Sequence, residues 1–129
     1  MTQTSTERHP DIEIYIKQRS VEQISTWLEA EFDRLELLQQ RGQTYRYQAN
    51  LDGTQIPITL IDRAAKDFSS LWFDSDSTRW PQDRDCARQA CQQLETEIRC
   101  IASGWNEGDE PDEWWSIKDS GEQLILWRG

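Results

Sequence analysis

The chain has 129 residues, with 24 Asp and Glu against 14 Lys and Arg, giving a formal net charge of −10. That length fits one domain with a core of its own. The charge disfavours nucleic-acid phosphates and anionic membrane surfaces, and no apolar run approaches the roughly 18 residues of a membrane span.

Seven Trp within so polar a chain argue against disorder, because large aromatic side chains supply burial that a disordered segment lacks. The polar N-terminus, MTQTSTERHPD, lacks the apolar stretch of a secretory signal, and the three cysteines are an awkward number for a disulfide framework. The expectation is a cytoplasmic protein with reduced thiols and no cofactor.

Residues 1–10 read as a flexible tail and 11–129 as a single α+β domain. Ile12, Ile14 and Ile16 alternate with polar residues, which predicts a strand with one buried face. Ser20 and Gln23 make a capping box. Val21, Ile24, Leu28, Phe32 and Leu35 recur at helical spacing, widened by Trp27 and Leu38. The stripe predicts a helix from about residue 20 to 33 that continues toward Arg41 and Gly42. The alternative ends it near Asp33 and makes 34–40 a strand. Leu35 and Leu37 then alternate, but Leu38 does not fit, and the lack of β-branched residues favours helix.

Asp52-Gly53 between apolar segments 43–51 and 54–61 predicts a hairpin with a type I′ turn. Pro57 has no N–H and points to an edge strand or a bulge. Phe68–Phe73 reads as a strand. Pro81 opens a second helix. Ala87, Ala90, Cys91, Leu94, Ile98 and Ile101 stripe it, and Gly104 ends it. Trp114–Lys118 and Glu122–Arg128 make a terminal hairpin. The order β-α-β-β-β-α-β-β predicts a two-layer fold: a mainly antiparallel sheet of about five to six strands with two helices on one face.

Three groups of residues carry candidate chemistry. Leu71-Trp72-Phe73 followed by Asp74-Ser75-Asp76-Ser77-Thr78 resembles, over about eight residues, the first motif of haloacid-dehalogenase-type phosphotransferases. The resemblance implies Asp74 as nucleophile, Asp76 as acid/base and a magnesium ion. The bland reading is a turn whose Asp and Ser side chains bond the backbone.

The second group is Trp105 to Trp115, where five carboxylates, among them Glu107 and Asp109, are framed by Trp105, Trp114 and Trp115. Aromatics beside acids suit contact with a basic protein partner. Their spacing does not match the twelve-residue Ca²⁺ loop. In a strand, Trp114 and Trp115 must face opposite ways.

The third group is Cys86, Cys91 and Cys100, all placed on the second helix, where their angular spacing does not converge on one metal. His9 is the only histidine, which removes Ser–His and Cys–His catalysis within one chain.

The leading expectation is a non-enzymatic protein-interaction module of adaptor, inhibitor or immunity type. Its surface is built from Trp72, Asp74, Asp76, Trp80, Trp105, Glu107, Asp109, Trp114 and Trp115. The alternatives are a small-ligand module with a Trp-lined pocket and the phosphotransferase.

Overall fold

The strand Ile12–Lys17 (β1) forms where apolar and polar residues alternate. Ile12, Ile14 and Ile16 are fully buried, and β1 lies inside the sheet between β5 and β6. The computed structural model describes residues 8–102 and 113–127. In chain order the other elements are α1 (Val21–Glu31), β2 (Arg34–Arg41), β3 (Thr44–Leu51), β4 (Thr54–Ala65), β5 (Phe68–Phe73), α2 (Asp83–Leu94), β6 (Ile98–Ile101), β7 (Glu113–Lys118) and β8 (Gly121–Leu126).

The result is a two-layer α+β domain. Its sheet runs β2-β3-β4-β5-β1-β6-β7-β8, every neighbouring pair is antiparallel, and both helices pack on one face. The sheet has eight strands rather than five to six. The two additional strands, β2 and β6, come from segments that the sequence pattern assigns to helix.

α1 begins on the Ser20–Gln23 capping box and stops at Phe32, whose backbone is extended. β2 follows. Its ladder with β3 shifts between Leu37 and Gln39, so Leu38, the residue that does not fit a strand, sits at a bulge. α2 stops at Glu95, which adopts a left-handed conformation (φ 55°). Ile98 and Cys100 then face the core from β6, not from a helix.

The Asp52-Gly53 turn has positive φ at both residues, as a type I′ hairpin requires. Pro57 is neither on an edge strand nor at a bulge, since β4 lies between β3 and β5 and its ladder shift falls between Ile61 and Ala65. Its missing N–H costs little for another reason. The β5 ladder ends at the Ile58–Phe73 pair, and only the Asp74 N–H reaches the Pro57 carbonyl, at 2.9 Å.

The helix-covered face is apolar. Ile14, Ile58, Leu60, Leu71, Phe73 and Ile98 are at most 1% exposed and pack with Ile24, Leu28, Ala87 and Ala90 from the helices. Trp80 stacks on Trp27 at 5.8 Å and meets Phe73 at 5.2 Å. Its indole Nε1 donates to Gln89 Oε1 at 2.6 Å, so the buried ring keeps its polar edge satisfied. Cys86, Cys91 and Cys100 are free thiols buried in this layer. Burial pushes all three upward in pKa, Cys100 to about 12, which keeps them protonated and unreactive.

Candidate functional site

The ladder registers decide which loops meet. Ile12 pairs with Phe73, so β1 begins where β5 ends and the chain enters Asp74. Tyr15 pairs with Arg99 and Ile16 with Ile98, so β6 runs toward that same end. There the Ala102 N–H donates to the Glu113 carbonyl at 3.1 Å. The 74–80 loop and the residues flanking 103–112 therefore stand at one end of the sheet. Two strand spacings separate β5 from β6, about 10 Å.

Cross-strand partners share a face, so the registers also define a row across the sheet on the side away from the helices. Trp72 of β5 pairs with Glu13 of β1, and Trp114 of β7 pairs with Ile101 of β6 and Ile125 of β8. Continuing the β1–β6 register places Ile101 opposite Glu13. Trp72 and Trp114 thus flank Glu13 and Ile101 on this open face. Both indoles are half-buried. Trp72 Nε1 donates to Asp11 Oδ2 at 2.6 Å, and Trp114 packs edge-on against Tyr15 at 5.5 Å.

The electrostatics of this end are unbalanced. Glu13 is exposed as a residue, yet partial desolvation of its carboxyl raises it above its ordinary value. A hydrogen bond from Ser70 opposes that push, while the nearby Asp83 and Asp11 charges add to it. Asp83, which opens α2, is 7% exposed and is likewise raised, chiefly by burial. His9 Nδ1 at 3.2 Å and a backbone hydrogen bond from Glu13 pull it back only in part. Asp74 and Asp76 add two exposed carboxylates.

Asp74–Thr78 is a turn tied by its own side chains. The Ser77 N–H donates to Ser75 Oγ at 3.0 Å, and Thr78 Oγ1 donates to the Trp80 carbonyl at 3.1 Å. Arg8 Nε donates to the Asp76 backbone carbonyl at 3.0 Å, leaving the Asp76 carboxylate outside that contact. A phosphotransferase of the resembled kind implies an alternating α/β domain, whereas this sheet is antiparallel throughout. Among the described residues, no group of three or more His, Cys, Asp or Glu is placed to hold a metal ion.

Of the nine residues singled out in the sequence, Trp72, Asp74, Asp76 and Trp114 come to this end together. Trp80 lies in the core, 5% exposed. Trp115 faces the helix side, opposite to Trp114, with the Arg84 guanidinium 3.6 Å above its ring. Trp105, Glu107 and Asp109 lie outside the described residues.

The sequence pattern does not single out a second cluster, farther along the open face. Arg99 of β6 lies over Phe68 at 4.5 Å and Trp127 at 4.8 Å, and its Nε donates to Glu97 Oε2 at 2.8 Å. Ser116 Oγ donates to the same carboxylate oxygen at 2.6 Å, and Lys17 Nζ stands 3.8 Å from Oε1. Burial raises Glu97, but Ser116 and Arg99 outweigh it and the carboxyl ends below its ordinary value. The available signal was the alternation of Arg99 with the buried Ile98 and Cys100, which is hidden once 95–101 is read as helix.

Among the described residues, one cavity of about 220 Å³ is bounded by Gln39, Arg41, Thr44 and Arg46 and another of similar size by Arg88, Gln92, Lys118 and Glu122 with Cys91 and Ile117. Neither is lined by Trp. No helix among the described residues is long and apolar enough to cross a membrane. The chain is thus a small α+β domain with Trp-rich clusters, and it matches no protein-family model, no curated protein and no solved structure.

Proposed function

We propose that the protein is a non-catalytic binding module that takes a basic segment of a protein partner at the acidic end of its sheet. One observation carries this reading: the Trp72–Glu13–Ile101–Trp114 row, which places two half-buried indoles on one face with Glu13, whose carboxyl, like that of Asp83, stays raised because the Ser70 and His9 contacts offset desolvation and mutual repulsion only in part. A partner Lys or Arg gains twice there. Its charge relieves the repulsion among Asp11, Glu13 and Asp83, and its alkyl stem and cationic head lie against indole faces. Asp74 and Asp76 extend the same field into the exposed turn.

The test is titration with an oligolysine peptide, followed by Trp fluorescence, in about 0.02 M and about 0.5 M salt. The reading expects binding that high salt abolishes. A Glu13→Gln/Asp74→Asn/Asp76→Asn variant should lose about tenfold or more in affinity. A control with the same net charge, Glu22→Gln/Glu29→Gln/Asp119→Asn, should keep it. Equal losses in the two variants would reduce the effect to net charge and overturn the site.

A further inference from the structure

The two edges of the sheet are guarded very differently. β2 carries Arg34, Glu36 and Arg41 and is broken by its bulge, all of which discourage pairing with another strand. β8 pairs with β7 over six consecutive residues without a shift and contains neither Lys nor Pro. Leu124 and Leu126 on it are 49% and 64% exposed.

The register shows which backbone groups β8 leaves open. The two-residue Asp119-Ser120 turn joins Lys118 and Gly121 as the closing pair, which is hydrogen-bonded in such a hairpin. Bonded and non-bonded pairs alternate from there, so Gly121, Gln123 and Ile125 turn their N–H and C=O groups to β7. The Ala102–Glu113 hydrogen bond on the other side of β7 has the phase this alternation requires. Glu122, Leu124 and Leu126 consequently present their backbone groups outward.

We propose that β8 pairs antiparallel with β8 of a second copy of this chain, about a two-fold axis through Leu124. The open groups are spaced symmetrically around that residue. Leu124 meets its own counterpart, and Glu122 and Leu126 exchange hydrogen bonds with the counterparts of Leu126 and Glu122. This arrangement uses every outward backbone group of β8, where a shifted register uses fewer, and it is the self-complementarity of an isologous contact. It also fits the local charge. The two Glu122 carboxylates do not face each other, and each is already held by Arg84 at 3.0 Å and Arg88 at 2.7 Å of its own copy. The exposed leucines of both copies come together on the helix side, and the sheet runs on across the pair. The contact is small against the roughly 1,200 Å² of a standard interface, so the dimer is weak and reversible.

Sedimentation and backbone amide exchange of the full chain over a range of protein concentrations test this. The expected result is a monomer–dimer equilibrium that strengthens with salt, because each copy carries −10. A basic partner would show the opposite salt dependence. With rising concentration, the Leu124 and Leu126 amides should gain protection while Gln123 and Ile125 do not change. Leu124→Pro removes an N–H that β7 does not use and should abolish the dimer. Leu124→Lys, which leaves the backbone intact, should weaken it at least tenfold, and Leu37→Lys on β2 should leave it unchanged. A monomer at every concentration, or a dimer that survives Leu124→Lys with the amides of Leu124 and Leu126 still exchanging freely, would overturn the proposal.

Discussion

Glu97 and Asp83 are both buried carboxylates, at opposite ends of the sheet, and the fold treats them in opposite ways. Burial pushes each toward its neutral form. At Glu97 the Ser116 hydroxyl and the Arg99 guanidinium outweigh that push, and at Asp83 the His9 contact does not. Near Asp83, Glu13 is raised as well, and the ionised groups repel one another. One end of the sheet therefore spends its charges internally, on a carboxylate held by Ser116 and by Arg99, whose guanidinium lies against Phe68 and Trp127. The other keeps an unbalanced negative field next to exposed carboxylates and two indoles. A fully compensated buried charge serves the fold, and a field that His9 and Ser70 offset only in part is what the proposed cationic partner would meet.

Breaking the paired end should have the largest effect. Arg99→Ala leaves Glu97 buried with only the more distant Lys17 and Lys118 as counter-charges and should cost about 3 kcal/mol in urea unfolding. Arg99→Lys should recover part of that loss, because an ammonium keeps the charge but not the planar stacking on Phe68 and Trp127.

The acid limb of stability comes next. Glu97 has a folded pKa below its ordinary 4.5, so its contribution is complete above about that pH and is lost as pH falls through the lower folded value. Glu97→Gln should remove that part of the acid sensitivity in melting curves.

The unpaired end should respond with the opposite sign and less strongly. Glu13 and Asp83 have folded values above 4.5 and 3.8, so their ionisation weakens the fold as pH rises through those raised values. Glu13→Gln, which still accepts from Ser70, should raise the melting temperature slightly at neutral pH and leave it unchanged in acid. The smallest stability effect belongs to Asp74→Asn/Asp76→Asn, within about 0.5 kcal/mol of the parent, since both side chains are exposed. The same pair of substitutions should weaken oligolysine binding, which separates the site from the scaffold.

Local chemistry made much of this fold legible. The Ile12–Ile16 alternation, the Ser20 cap and the Asp52-Gly53 turn each act over a few residues, and each stands in the structure as its residues imply. β2 and β6 were not legible, for physical reasons that can be named. Leu38 disrupts the alternation of β2 because a bulge lies there. α2 ends at Glu95 in a left-handed conformation that Gly or Asn ordinarily signals, and Ile98 and Ile101 happen to continue the helical spacing.

The site was legible only as pieces. Trp72, Asp74 and Asp76 stood out by type, as did Trp114, and the opposed directions of Trp114 and Trp115 followed from strand pleating. What brings Trp72 and Trp114 onto one row is strand order, because α2 carries the chain across to the far side of β1. Trp80 stood out by type too, yet the core uses it. Glu13, the residue between the two indoles, carried no signal beyond being the polar member of an alternating strand.

The most direct test of the unbalanced end is an NMR titration of the side-chain carboxyl resonances of Glu13, Asp83 and Glu97, with and without oligolysine. Glu13 and Asp83 should titrate above their ordinary values in the free protein, the peptide should lower both, and Glu97 should stay low throughout. Glu13 and Asp83 unmoved by a peptide that binds, or a shift confined to Glu97, would contradict this reading.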